Sequence, residues 1–273
     1  MSKDRKQQPV AIVTGATTGI GEATARALHA AGYLVFGTYR KLPSREIAGI
    51  DYVACDVTSD DAVGTAVREV LAETGRIDLL VNNAGVGLLG AAEESSLEQA
   101  KSIFDVNLFG AIRMTKAVLP LMRQQRSVRI VNISSVLGLI PSPFSALYAS
   151  SKHALEGYSE SLDHEVRDSG IRVVLVEPAY TRTAFESNVL TADQKNEHYG
   201  PARSNAQAVL RAVMTKADPP EVVAETVVTA ATAATPRLRY TAGRVAKTVS
   251  LLRRFVPASA FDKSLRKQLQ MPA

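Results

Sequence analysis

The chain has 273 residues, of which 46% are apolar and 22% charged, with a net charge of +5. That length supports a large buried core, no apolar run is long enough to span a bilayer, and a lone cysteine, Cys55, excludes an internal disulfide or a cysteine-based metal cluster. The small positive balance suits an anionic small molecule and does not by itself point to nucleic acid.

Residues 1–9 are polar with mixed charge and lack the apolar core of a signal peptide, so they read as a disordered lead-in to a cytoplasmic protein. Beyond them, short apolar runs predict strands at Val10–Val13, Leu34–Gly37, Tyr52–Ala54, Leu79–Val81, Arg129–Ile133 and Arg172–Val176, with a seventh near Leu238–Thr241. Most are β-branched or leucine-rich without polar alternation, the pattern of strands covered on both faces. Helical periodicity fills the gaps at Glu22–Ala31, Ala62–Glu73, Leu97–Leu121 and Ser151–Asp168. This alternation predicts right-handed βαβ units. The expected fold is α/β: a single Rossmann-type doubly wound parallel sheet with helices on both faces, one catalytic domain over 10–273. Strand signals fade after Pro178, and residues about 181–218 read as a substrate lid.

The first strand runs into Thr14-Gly15-Ala16-Thr17-Thr18-Gly19-Ile20-Gly21 and then a helix. Glycines let the backbone turn tightly and approach a pyrophosphate, and the helix N-terminus offers it free N–H groups. The second strand ends at Tyr39-Arg40-Lys41, where an NAD site usually carries an acid for the ribose 2′-hydroxyl. Arg40 suits a 2′-phosphate instead, which points to NADP(H).

Tyr148 and Lys152 are one helical turn apart on one face. An ammonium beside a phenol favours the phenolate, so Lys152 is expected to lower the Tyr148 pKa and fit it for proton exchange with an alcohol or carbonyl. Ser134 and Ser135 close the strand before them, at the strand end where open α/β sheets bind ligands. His29, His153, His164 and His198 show no metal-like pairing, and no metal site is expected.

Thr14-Gly15-x-x-x-Gly19-Ile20-Gly21, Asn82-Asn83-Ala84-Gly85, Asn107, Ser135 and Tyr148-x-x-x-Lys152 together resemble the short-chain dehydrogenase/reductases, in order and spacing from Val10 to about Thr183. The resemblance implies that Tyr148 is the general acid/base and that Lys152 lowers its pKa and holds the nicotinamide ribose. It implies that Ser135 orients the substrate oxygen and that Asn107 anchors a water relaying protons to Lys152. Gly15, Thr17, Thr18, Gly19, Ile20 and Gly21 would face the cofactor phosphates, Asp56 with Val57 the adenine, and Asn83, Ala84 and Gly85 would lie along the cofactor. After the sixth strand the family usually has Pro-Gly; here Ala179 follows Pro178, and a methyl there is expected to restrict the loop. Pro178, Thr181 and Thr183 are the candidates for carboxamide and phosphate contacts.

Leu137, Leu139, Pro141, Phe144, Tyr180 and Phe185 suggest an apolar pocket, hence a lipophilic alcohol or its ketone or aldehyde. The tail, about 243–270, resembles the C-terminal extension of members similar to hydroxysteroid and retinol dehydrogenases. In it, Val245, Val249, Leu252 and Val256, then Phe261, Leu265 and Leu269, line helical faces, with seven basic residues on the others. The preferred reading is two helices packed over the substrate mouth; the second is contact with an anionic membrane. The helices at Leu97–Leu121 and Ser151–Asp168 resemble the family's dimer and tetramer surfaces, so a homodimer or homotetramer is expected. The alternative function is a non-catalytic NADP(H)-sensing regulator on the same fold.

Overall fold

The computed structural model describes residues 7–41, 47–183 and 189–268. Phe185 and Leu269, with parts of the expected lead-in, lid and tail, lie outside these residues. The chain runs β1 (Val10–Val13), α1 (Gly19–Ala30), β2 (Leu34–Tyr39), β3 (Ile50–Ala54), α2 (Asp60–Thr74) and β4 (Leu79–Asn82). A two-residue strand β5 (Leu88–Leu89) precedes α3 (Leu97–Phe104), a π-helical turn (Asp105–Phe109) and α4 (Gly110–Gln125). Then come β6 (Val128–Ile133), α5 (Ala146–Val166), β7 (Ile171–Pro178), β8 (Leu190–Thr191), α6 (Gly200–Met214), α7 (Pro220–Thr232), β9 (Arg239–Ala242), α8 (Gly243–Phe255) and α9 (Ala258–Gln268).

Seven strands form one sheet in the order β3-β2-β1-β4-β6-β7-β9, every neighbouring pair parallel. Side chains alternate across a strand, so each strand feeds two cores. Val10 and Ile12 of β1 pack on one side with Val67 of α2, Met114 of α4 and Leu162 of α5. Ala11 and Val13 pack on the other with Leu28 of α1 and Val227 of α7. This double burial explains why the strand sequences lack polar alternation. The strand order reverses between β1 and β4, and such a reversal opens a crevice beyond the carboxyl ends of the strands.

Helix boundaries differ from the sequence expectation, three of them near the candidate site. The first helix starts at Gly19, inside the glycine turn, with Thr18 as its N-cap. The helix expected from Ser151 starts at Ala146, which places Tyr148 in its first turn. The long helix expected over Leu97–Leu121 is interrupted by the π turn, which inserts a residue and turns Asn107 inward. No helix among the described residues is long and apolar enough to cross a membrane.

Asp163 locks α5 to the sheet. Its fully buried carboxylate accepts hydrogen bonds from Arg172 Nε at 2.9 Å and the Val173 N–H at 2.9 Å, and pairs with Arg167. Burial pushes this carboxyl up, but the three donors outweigh it and hold it below its ordinary value. A depressed carboxylate stabilises the fold above its unfolded pKa, and that contribution is lost as pH falls through the folded value. Asp163→Asn is therefore expected to cost about 2–3 kcal/mol at pH 7 and to remove part of the acid sensitivity below about pH 4, as read from denaturation midpoints across pH.

Candidate functional site

At the end of β1 the chain turns through Gly15 and Gly19, both in the left-handed region, with φ of 64° and 57°. A Cβ on Gly21 would lie 2.1 Å from the Gly15 carbonyl oxygen, so helix and turn meet at a distance only glycine allows. Thr17 and Ile20 are half-buried and Thr18 is exposed; Thr18 starts α1 without a side-chain cap, so its hydroxyl does not occupy the first N–H groups of the helix. The turn is stitched to β4. Thr14 Oγ1 accepts the N–H groups of Asn83 and Ala84, both at 2.9 Å, and Asn83 Nδ2 donates to Thr14 O at 2.8 Å and Gly15 O at 3.2 Å. The Asn83 side chain thus braces the turn. Asn82 points into the core, donating to Asn132 Oδ1 at 2.8 Å.

Thr183 crosses over the turn, and a Cβ on Gly19 would sit 3.0 Å from it. Arg40 is exposed at the end of β2, close enough to act electrostatically on Asp56. Asp56 spends Oδ1 on the backbone and hydroxyl of Thr58, at 2.9 and 2.7 Å, and these bonds, with Arg40 and Arg113, hold its carboxyl below the ordinary value. Val57 is buried against Gly110 at the start of α4.

On the other side of the crevice, α5 runs past the end of β6. Ser135 Oγ accepts the Leu137 N–H at 3.1 Å, and its hydroxyl is hydrogen-bonded to Tyr148. Ser134 turns away, toward Glu156 and the α-carbon of Gly138. The buried Lys152 Nζ donates to Ile133 O at 2.9 Å and lies 5.8 Å from the centre of the Tyr148 ring. From the π turn, Asn107 accepts the Val86 N–H at 2.8 Å and donates to Val86 O at 2.9 Å and Ser151 Oγ at 3.0 Å. A Cβ on Gly85 would lie 3.3 Å from Asn107 Oδ1 and 3.8 Å from Lys152 Nζ. The fold therefore brings Asn107, Ser135, Tyr148, Lys152 and Gly85 into one cluster.

Burial moves both reactive groups toward their neutral forms. It pushes Tyr148 up to about 12, against the bond from Ser135, and Lys152 down to about 8, against the charge of Glu156. The lowering of Tyr148 expected from Lys152 is thus not found in this structure: burial sets the direction, and the one opposing influence is the Ser135 hydrogen bond.

A cluster that the sequence reading missed lies behind Lys152. Glu156, one turn further along α5, pairs with Arg239 of β9, which also donates to Glu177 Oε1 at 2.7 Å and to Glu160 Oε1 at 2.9 Å. Burial and the neighbouring Glu177 raise Glu156 to about 7. The 148, 152, 156 spacing marks Glu156 on the face of Tyr148 and Lys152, but its partners come from β7 and β9, remote in sequence.

The side expected to take substrate is framed by Leu137 and Leu139, both half-buried, by exposed Pro141 and by Phe144, whose φ of 65° is strained for a non-glycine residue. The Phe144 ring meets Tyr199 edge-on at 6.3 Å, and Tyr180 is 38% exposed. Buried Glu94 holds residues of the expected lid by accepting the Asn196 N–H at 2.7 Å and pairing with Arg203. No α6 side chain is buried. Pro178 ends β7 buried, Thr181 bridges to Asp218, and Thr181 Oγ1 donates to Ala179 O at 3.3 Å. Ala179 is not among the positive-φ residues, so its backbone conformation is one that a residue with a methyl adopts without strain.

Residues 9–194 match the short chain dehydrogenase family model. The chain is 41% identical over 195 residues to a 3-ketodihydrosphingosine reductase of Bacteroides thetaiotaomicron, covering 71% of this chain and 72% of that protein. Its fold is similar to a short-chain dehydrogenase from Streptomyces avermitilis, with a TM-score of 0.81, 31% identity and coverage of 99% and 96% of the two chains. It is also similar to a 3-ketoacyl-(acyl-carrier-protein) reductase from Brucella melitensis complexed with NADH, with a TM-score of 0.72, 25% identity and coverage of 86% and 98%.

The charge behind Lys152 is testable without a substrate. A carboxylate neighbour favours the ammonium, so Glu156→Gln is expected to move the Lys152 titration below about 8. Side-chain NMR titration of the lysine would show it; an unmoved midpoint would refute the coupling.

Proposed function

Because the chain belongs to the short-chain dehydrogenase family, we propose that it is an NADP(H)-dependent oxidoreductase that interconverts a lipophilic alcohol and its ketone or aldehyde, with Tyr148 as general acid/base. The observation that carries this reading is the convergence of Ser135, Tyr148, Lys152 and Asn107 on one side of the crevice that the glycine turn borders on the other. The glycine cradle fits a dinucleotide: a Cβ on Gly21 would close it, and the α1 N-terminus faces it. When bound there, the nicotinamide supplies or accepts the hydride.

This chain's residues handle the proton. In reduction, the carbonyl oxygen gains negative charge and must be protonated; on this reading the Tyr148 hydroxyl, a phenol at neutral pH, gives that proton while Ser135 donates to the same oxygen. Below about pH 8 Lys152 is an ammonium beside the phenol and stabilises the phenolate left behind. Asn107, fixed through both atoms of its amide, holds the Gly85–Val86 backbone next to Lys152.

The cofactor choice rests on residue 40. The end of β2 offers Arg40 and Lys41 and no acid, which favours the 2′-phosphate of NADP(H). A related reductase carries NADH, so the fold alone does not choose. Leu137, Leu139, Phe144 and Tyr180 support a lipophilic substrate, as does the similarity to a protein named for reducing 3-ketodihydrosphingosine. The complete Ser-Tyr-Lys set weighs against a non-catalytic sensor. Exposed Leu97 at the start of α3 and exposed Phe109 at the end of the π turn support assembly into a homodimer or homotetramer.

In calorimetric titrations, NADPH is expected to bind more tightly than NADH, and Arg40→Asp to weaken NADPH selectively. Equal affinities in the wild-type protein would refute the assignment. Tyr148→Phe keeps the ring and removes the proton, so fold and NADPH binding are expected to survive while turnover of a reducible ketone falls by about 10²–10⁴-fold. A Tyr148→Phe protein that turns over within a few-fold of wild type would sink the mechanism.

A further inference from the structure

The tail packs on the substrate rim through one face only. Ala246 is fully buried, Arg253 Nε donates to Leu139 O at 3.2 Å, and α8 touches the Val136–Gly138 turn, β7 and β9. The other face is apolar and open to solvent: Val245 is 47% exposed, Leu251 49%, Leu252 46% and Phe255 72%. At 3.6 residues per turn these four fall within about a third of the helix circumference. Exposed Lys247 and Arg254 border that stripe, and α9 adds exposed Lys263 and Lys267.

Charge is concentrated in the same place. From Gly243 onward the chain has seven lysines and arginines against one acid, Asp262. The rest of the chain holds 25 basic and 26 acidic residues, so the whole positive balance of the protein resides in its tail. A second copy of this face would bring like charges together. Nucleic acid would satisfy the cations and could stack on Phe255, but would leave the aliphatic Val245, Leu251 and Leu252 uncovered. An anionic lipid surface answers both features at once, taking the apolar stripe at the acyl boundary and the flanking cations at the headgroups.

We propose that α8 and α9 form an interfacial foot that seats the protein on anionic lipid, with α8 lying between that lipid and the rim of the substrate site. The inner face covers the rim, as the sequence reading preferred, and the outer face docks. The placement gives a lipophilic substrate a short path from the bilayer to Leu137 and Leu139. That last link rests on the substrate reading above; the docking itself does not.

The test is flotation of the full chain with vesicles of phosphatidylcholine alone and of phosphatidylcholine mixed with phosphatidylglycerol, without substrate. Binding is expected only to the mixed vesicles and is expected to weaken as salt rises. Leu251→Glu with Phe255→Glu should abolish it, and Lys247→Glu with Arg254→Glu should weaken it at least tenfold. Unchanged melting curves would show that both double variants remain folded. Absence of wild-type binding, equal binding to neutral vesicles, or binding that survives both double variants would overturn the proposal. So would an oligomer that Leu251→Glu with Phe255→Glu dissociates while vesicle binding is absent, since a second copy would then be the occupant. Vesicle binding without turnover of lipophilic ketones would sink the substrate reading and leave the foot standing.

Discussion

The reversal of strand order between β1 and β4 is the constraint on which the site depends. Parallel strands end together at one edge of the sheet, and where the order reverses their connections depart to opposite faces and leave a gap. The glycine turn after β1 forms one lip of that gap. The Asn83–Gly85 segment after β4 is bound to it through Thr14, and the Ser134–Ser135 segment after β6 lies next along the edge. Side chains far apart in sequence meet there because the sheet register carries them to one place. The cost is a sheet that must be covered on both faces, which the helix layers supply.

Along that edge, buried polar groups brace one another. Asn82, Asn132 and Ser159 link β4, β6 and α5 in a hydrogen-bonded chain, at 2.8 Å for each of its two bonds. Asp163 ties the far end of α5 to β7, and Arg239 ties its middle to β7 and β9 through Glu156, Glu160 and Glu177. Helix α5 is thus clamped at three levels, which holds Tyr148 and Lys152 against the end of β6. Low dielectric strengthens such networks and also sets the resting protonation: a phenol, and an ammonium that is easily neutralised.

The substrate side is built differently. The described residues of the segment expected to be a lid are tied down mainly by polar contacts to Glu94 and by the short β5–β8 pairing, and no α6 residue is fully buried. Elements with few buried apolar contacts open at low free energy. The tail caps the same side through Ala246 and Arg253 and leaves its remaining apolar residues outward.

Much of this was legible in the sequence for a local reason. The inner strands of the main sheet appear as largely apolar runs because burial on both faces favours apolar residues there, whereas the edge strands β3 and β9 carry polar residues; the glycine turn and the Tyr148–Lys152 spacing are short-range patterns. Arg40 could be read because its meaning depends only on the end of β2. What the sequence alone could not decide depends on contacts between distant segments. The π turn that aims Asn107 arises where α3 and α4 meet α5, and the Glu156–Arg239–Glu177 cluster exists only once β9 lies beside β7. The sign of the Tyr148 shift was misread because pairwise charge is visible in spacing, whereas desolvation depends on everything packed around the group. The tail showed its apolar residues and cations in sequence. Only tertiary structure decided that α8 buries Ala246, through packing on β9 and the rim, and leaves Leu251, Leu252 and Phe255 facing out.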